Sequence, residues 1–489
     1  MTTTPTVSVA EALAQLPEEL QRGTPPDIAG PSALALAIGS TVSGDRSQGR
    51  PPIGRFSRFW TLGTLQGKIA AGYAFWWFRS MWQGTDERQR SLNEHHLRAA
   101  VQLLGTMSTL RGAVMKVGQM LAHWPGCAPE EFADVLGRLH FEAPPMHGAL
   151  VREQVHAELG SDPEVLFAEF DLDRACAASL GQVHRARLRD GHRHSHHPAV
   201  AVKVQYPGIA RTIRDDVANL RLLLAPLRMG SDGSSVMVQL DDIERMLALE
   251  TDYLAEAENL RRASEALAGI DEIVVPEVHE ELSNARILTM RWLDGVHLPH
   301  LLAERPDQGT RNRWGALIAR AVFRLGYRAR LLHADIHPGN FLFMPDGRLG
   351  LIDFGCMRRY TQEEYDYMCD AERAATLSPE AVRELIVRGS DLTLAQQADP
   401  ERLRLLTAWY DWICEPTLTD RAFDFGDRRY FDRGMNIWRE ILMRRYIRTL
   451  PINNWVGKGF IGLRAMLTGL GAQVPLGQIM REETTVSGQ

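Results

Sequence analysis

The chain has 489 residues, 45% hydrophobic, 24% charged and 8% aromatic, proportions of a folded globular protein that exclude disorder throughout. At roughly 150 residues per domain this length holds two to four units. Lys and Arg total 55 against 61 for Asp and Glu, a net charge of -6, without the basic excess of a nucleic-acid binder.

Residues 1–50 are rich in Pro, Gly, Ser, Thr and Ala with no sustained period, which predicts a disordered tail. The first twenty lack the basic and apolar regions of a secretory signal. The chain is therefore expected to stay on the cytoplasmic or organellar-matrix side. Five cysteines, Cys127, Cys176, Cys356, Cys369 and Cys414, form no Cys-x-x-Cys pair, which argues for a reducing compartment and against a zinc site. Over 55–82 the sequence turns aromatic and basic, with Trp60, Trp76, Trp77 and Trp82 among Arg55, Arg58, Lys68 and Arg79. Such a stretch lies either in a bilayer interface or against the rest of the protein. It is no span, because Gln66, Lys68 and Arg79 interrupt its apolar residues.

A helix is predicted over 92–121, where Leu97, Val101, Leu104, Met107, Leu110 and Val114 recur at three- and four-residue steps. A second opens near Pro129, and these helices form an N-terminal extension over 51–160. From about residue 165 the period changes. Strands are predicted over 183–188 and 199–206, and in the second Val200, Val202 and Val204 alternate with Lys203, which places the lysine on the opposite face. The loop between carries His192, His194, His196 and His197, a solvated hairpin tip or a metal site. Helices follow over 208–227 and 239–267, then strands near 273–278 and 286–292. A helix with Trp314, Leu317, Ile318, Ala321 and Val322 on one stripe comes next.

Residues 331–355 carry the chemistry. His333-Ala334-Asp335 is followed five positions later by Asn340, and Asp353-Phe354-Gly355 comes after a hairpin signal at Asp346-Gly347. This is the order of the kinase scheme H-x-D-x-x-x-x-N then D-F-G. Phosphoryl transfer needs a carboxylate beside the nucleophile, here Asp335, and an Asn with a second carboxylate to hold Mg²⁺ on ATP, here Asn340 and Asp353. Lys203 is the candidate for the α- and β-phosphates, with Glu256 as its helix partner. No G-x-G-x-x-G precedes it. The chain there reads Arg174-Ala175-Cys176-Ala177-Ala178-Ser179-Leu180-Gly181, an alanine-rich turn stiffer than a glycine loop.

With these residues the sequence resembles the UbiB family of atypical protein-kinase-like proteins, also called aarF-domain-containing kinases, from about Arg55 to beyond Arg359. The likeness lies in KVGQ at 116–119, ACAASLGQVHRA at 175–186, VAVKVQYPG at 200–208, ETDYLAEAEN at 250–259, HADIHPGN at 333–340 and IDFG at 352–355. It implies an α+β, two-lobed protein-kinase-like fold: a small antiparallel N-lobe sheet over 161–295, a helical C-lobe over 296–489, and the added N-terminal helical extension. It further implies that Lys116 and Gln119 pack over the site against Glu250 and Asp252, obstructing the groove of a protein substrate. On an ideal helix that acidic pair would point about 200° apart, so either a helix begins there or their roles differ.

ATPase or small-molecule kinase activity is implied in place of ordinary protein phosphorylation, with Ala177, Ala178 and Ser179 over the phosphates and Met290 at the adenine hinge. The family supports ubiquinone and other isoprenoid lipid biosynthesis at membranes, which implies a lipid or quinone-precursor substrate, quinone-biosynthesis protein partners and peripheral membrane contact. Three residues depart from its pattern: Cys176 replaces an alanine, Ile336 a proline, and Arg291 an acidic residue. The last apolar stretch, 455–476, contains Lys458 and Arg464, so peripheral association is expected there too. Two rivals stand beside this reading, a phosphotransferase of the aminoglycoside or choline kinase type and a nucleotide-sensing scaffold without useful catalysis.

Overall fold

The structure, a computed structural model, describes residues 146–178, 180–190, 198–224, 241, 244–390, 392–419, 421–444, 446 and 451–484. The expected tail, the aromatic stretch, the helices opening at Leu92 and Pro129 and the histidine loop lie outside the described residues, as do Lys116, Gln119 and Ser179.

Helix α1 (Gly148–Leu159) starts where His147 Nδ1 accepts from the Ala149 N–H, and stops at Gly160, whose φ of 77° is left-handed. It buries Val151 and Val155 completely. Strands β1 (Phe167–Ala178), β2 (Gly181–Leu188) and β3 (Ala199–Gln205) follow as an antiparallel meander. Val200, Val202 and Val204 pack with Val151, Val155, Phe167 and Leu188 on one face of the sheet. Burial of each such side chain contributes about 1.5–3 kcal/mol. A one-residue slip would expose them all, so this face fixes the register and turns Lys203 to the other side.

The alanine-rich stretch is more regular than a turn. β1 runs to Ala178 and β2 resumes at Gly181, directly opposite it, which makes Ala177 and Ala178 strand residues. Gly181 is required by close packing, since a β-carbon there would stand 2.3 Å from the Val204 carbonyl oxygen. Helix α2 (Ile209–Leu224) belongs to a separate unit, in which Arg221 pairs with Asp241 at 2.7 Å and with Glu244.

The helix expected over 239–267 is interrupted. Residues 244–250 are helical, Thr251 and Asp252 are not, and α3 (Tyr253–Leu267) begins anew. Asp252 is its N-cap, accepting from the Leu254 and Ala255 N–H groups at 3.1 and 3.2 Å. β4 (Ile273–Val274) is shorter than the expected strand over 273–278. β5 (Ile287–Arg291) pairs antiparallel with β3 and completes a sheet of order β1-β2-β3-β5.

Beyond the sheet, Asp307 caps α4 (Gln308–Phe323) by accepting from the Thr310 N–H at 2.6 Å. Trp314, Leu317, Ile318 and Ala321 form its buried stripe. Short strands β6 (Leu331–His333), β7 (Phe341–Phe343), β8 (Leu349–Leu351) and β9 (Met357–Arg359) frame the kinase-like loops. β7 and β8 form a hairpin that turns at Gly347, φ 83°, and β6 pairs with β9. Helices α5 (Pro400–Leu418), α6 (Arg428–Met443), α7 (Pro451–Leu470) and α8 (Leu476–Thr484) complete the lobe. The architecture is α+β and kinase-like, with one large apolar cluster joining α3, α4, the short strands, α7 and α8.

Both cations of the last apolar stretch lie on α7 and have specific partners. Arg464, 1% exposed, donates to Tyr430 Oη and the Phe460 carbonyl, each at 3.0 Å, and to the Ile413 carbonyl. Lys458 pairs with Asp335. No helix among the described residues is long and apolar enough to cross a membrane.

Candidate functional site

The β3 register presents Lys203 between the sheet and α3. Its ammonium donates to both oxygens of Glu256, at 2.8 and 2.9 Å, and lies 3.7 Å from Asp353 Oδ2. Lys203 is 8% exposed and Glu256 1%, so water contributes little and the pair must satisfy itself. Burial pulls the ammonium down, but the Asp353 and Glu256 carboxylates outweigh it and hold Lys203 well above its usual range. Burial pushes the Glu256 carboxyl up, restrained by Lys203. Burial also raises Asp353, yet Lys203 and the Gly355 N–H, donating at 3.0 Å, bring it below the usual carboxylate range.

Helix α3 holds more than the lysine's partner. One turn beyond Glu256, on the same face, Asn259 Nδ2 donates to the Phe354 carbonyl at 3.1 Å and ties the helix to the Asp-Phe-Gly turn. At the helix start, Gln205 Nε2 donates to the Thr251 carbonyl at 2.9 Å. Sequence reasoning assigned neither contact, although Asn259 stood in a recognised segment. Asp252 is engaged as the cap of α3, while Glu250, 8% exposed, ends the helix before the break. The two acidic residues therefore have different positions and different jobs. Met290 is buried on β5 opposite Ala201. Beyond it, the Arg291 N–H donates to the Glu277 carbonyl at 2.8 Å and the Trp292 N–H to the Ala199 carbonyl at 2.9 Å.

The loop between β6 and β7 carries the second half of the site. The Asp335 N–H donates to His333 Nδ1 at 3.3 Å, and Asn340 Nδ2 donates to the Asp335 carbonyl at 2.7 Å. His333 is 3% exposed, and burial keeps its imidazole below the usual histidine range. The hairpin register brings Asn340 beside the Asp-Phe-Gly turn, because the Ile352 N–H donates to the Asn340 carbonyl at 3.1 Å.

Sequence reasoning missed the helix that covers this loop. Lys458 Nζ lies 3.1 Å from Asp335 Oδ1, and glycines let α7 come close enough for the contact. A β-carbon on Gly459 would be 3.0 Å from the His333 carbonyl oxygen, and one on Gly462 would be 2.5 Å from that of Ile336. Ile336 is buried among the residues packed with Leu463 and Met466, so at this position the side chain joins the core.

Among the described residues no three His, Cys, Asp or Glu side chains gather to hold a metal by themselves. Mg²⁺ in a nucleotide site asks for less: one or two protein oxygens, with phosphate and water completing its shell. Asn340 and Asp353 fit that demand. The amide nitrogen of Asn340 is committed to Asp335, which leaves its amide oxygen as the ligating group. Around Lys203 two carboxylates face one ammonium, a balance that an added cation at Asp353 improves.

The sequence model of the ABC1 atypical kinase-like domain matches residues 138–380. AarF domain-containing protein kinase 1 of Mus musculus is 31% identical over 290 residues, 58% of this chain and 54% of its own length. Atypical kinase COQ8, mitochondrial, of Schizosaccharomyces pombe is 29% identical over 391 residues, 78% of this chain and 62% of its own. The chain thus spans between 54% and 62% of the length of these two relatives. A solved structure of Rv3197 from Mycobacterium tuberculosis in complex with erythromycin has a TM-score of 0.52 and 25% identity, covering 82% of this chain and 98% of that one.

Proposed function

Since this chain belongs to the ABC1 atypical kinase-like family, we propose that it is an Mg²⁺-dependent ATP-using enzyme. It acts as an ATPase or a small-molecule or lipid kinase that supports the making of ubiquinone or another isoprenoid lipid. One observation carries the reading: Lys203, paired with Glu256 at 2.8 Å, stands 3.7 Å from Asp353, whose chain neighbour Ile352 donates its N–H to the Asn340 carbonyl.

In this function Lys203 binds the α- and β-phosphates, held in place by Glu256. Asn340 and Asp353 hold Mg²⁺, and the bound ion offsets the charge of the phosphates. Asp335 takes the proton of the attacking water or alcohol. Ala177, Ala178 and Ser179 serve the phosphates, and Met290 marks the hinge beside which adenine is read by main-chain groups. Lys116, Gln119 and Glu250 have a regulatory role in this reading, and Asp252 fixes where α3 starts. The acceptor in this reading is a small molecule or lipid in place of a protein. The working location is the cytoplasmic or organellar-matrix face of a membrane, held peripherally, with a quinone precursor as substrate and quinone-biosynthesis proteins as partners.

The test is phosphate release from Mg²⁺-ATP by the full chain, with and without anionic liposomes and a phenolic quinone precursor. Turnover stimulated by the lipid and precursor is expected, and Asp353→Asn should lower hydrolysis and Mg²⁺-nucleotide affinity together. Equal hydrolysis by Asp353→Asn would remove the metal assignment. Thermal stabilisation by nucleotide with no phosphate release would favour a sensing scaffold, because ligand binding alone raises stability.

A further inference from the structure

We propose that Lys458 is a positioning residue for phosphoryl transfer, acting through Asp335 from a helix outside the catalytic loop. The proposal rests on the Mg²⁺-ATP reading and adds a residue that reading does not use. Lys458 Nζ lies 3.1 Å from Asp335 Oδ1, and His337 Nε2 lies 3.5 Å from Oδ2. Each carboxylate oxygen therefore has its own nitrogen neighbour. The main chain of Asp335 is held too, its N–H on His333 Nδ1 and its carbonyl by Asn340 Nδ2. His333, His337 and Asn340 come from the loop itself, whereas Lys458 arrives from α7.

The contact is built into the packing. Gly462 lets the α7 backbone approach the Ile336 carbonyl more closely than any side chain would allow, and Gly459, next to Lys458, keeps the approach to the His333 carbonyl from becoming crowded. The ammonium's reach and the helix's approach are thus one feature. The Lys458 side chain also keeps 31% of its exposure and Asp335 20%, so the pair is only partly buried and does not lie in the core.

In the transfer step an oxygen of water or of an alcohol forms a bond to the γ-phosphorus. The bond from that phosphorus to the β–γ bridging oxygen breaks, ADP leaves with the electron pair, and the nucleophile's proton passes to Asp335. A carboxylate free to rotate spends part of its time turned from the line of attack. Lys458 holds it at one rotation, which is a contribution to orientation, and a general base is worth about 10²–10⁴-fold in rate.

The experiment is single-turnover and steady-state phosphate release by the full chain carrying Lys458→Met, Lys458→Arg, Asp335→Asn, and Lys458→Met with Asp335→Asn. Lys458→Met should lower kcat about 10–100-fold, part of the general-base term, with KM for Mg²⁺-ATP within about threefold because Lys203 and Asp353 are untouched. Lys458→Arg should recover most of the loss. In the Asp335→Asn background Lys458→Met should cost nothing more, the signature of one residue acting through another. Unchanged kcat in Lys458→Met, or a full further loss in the double variant, would overturn the proposal. A fall that Lys458→Arg does not reverse reports damaged packing and also overturns it. Wild-type protein that releases no phosphate brings down the ATP-using reading with it, whereas normal wild-type turnover unaffected by Lys458→Met removes the role of Lys458 alone.

Discussion

Gly462 packs so tightly on Ile336 that a β-carbon on the glycine would stand 2.5 Å from the isoleucine's carbonyl oxygen. Main-chain atoms cannot yield as a flexible side chain does, so Gly462→Ala must push α7 away from the catalytic loop. We expect a loss of about 1–3 kcal/mol, typical of overpacking, and lower phosphate release. Gly457 is the control, since a β-carbon there meets nothing within 4 Å. Gly457→Ala should be neutral or stabilising by up to about 1 kcal/mol, the helix-propensity difference. Urea denaturation of the two variants decides it, and equal effects would refute the packing argument.

The Lys203–Glu256 pair sets a second expectation. Lys203→Met leaves a buried carboxylate beside Asp353 with no cation, and breaking such a pair costs about 3–5 kcal/mol. Replacing both, Lys203→Met with Glu256→Leu, should restore most of that stability, because a buried pair exchanged for apolar groups is often neutral. Stabilisation by Mg²⁺-ATP should stay lost in both variants. A single variant that loses less than about 1 kcal/mol, or a double variant still stabilised by nucleotide, would count against the pairing described.

His333 gives a pH dependence. Burial holds its imidazole below 6.5, the value of the unperturbed group, against the pull of Asp335 and Asp353. As pH falls through 6.5 the unfolded chain takes up the proton while the folded chain still resists it. The unfolded state then binds more protons, so this contribution to stability is complete above 6.5 and drains away toward the lower folded value. The stability gap between wild type and His333→Gln should therefore narrow between neutral pH and the acid side of that window. Urea midpoints across it measure the gap, and a constant gap would contradict the assignment. Protonation at Nδ1 would also remove the acceptor of the Asp335 N–H.

The C-terminal helix supplies the fourth. Glu483 is fully buried and accepts from Arg320 Nη1 at 2.9 Å and Arg324 Nε at 2.8 Å, with Arg328 Nε at 3.0 Å. Glu483→Gln retains the shape but removes the charge these guanidiniums face. The expected cost is about 1.5–3 kcal/mol, the range for hydrogen bonds to charged groups, read as a lower thermal midpoint. Glu482→Gln on the same helix, at a more exposed position, should cost less.

Lys203, Asp335, Asn340 and Asp353 were readable from spacing because a strand's two-residue period and a loop's fixed reach are local properties. The valine alternation alone sets which way Lys203 faces. The break before Tyr253 was legible only as one of two options for the Glu250–Asp252 pair, since neither Gly nor Pro marks it. Its signal was Asp252, a short acceptor placed to cap the next turn. Lys458 and Glu483 were out of reach for a different reason. Periodicity reports which residues are covered, and nothing in the neighbourhood of either residue names the distant group it meets.

The grip of β3 on α3 has a consequence for control. Lys203 fastens the middle of the helix through Glu256, Gln205 fastens its start through Thr251, and Asn259 fastens it to the turn after Asp353. Ordinary kinases switch by letting the equivalent helix glutamate leave its lysine. Here an outward swing would tear three attachments at once, so the rest state is already clenched, and any brake on this chain has to block the doorway instead of loosening the frame.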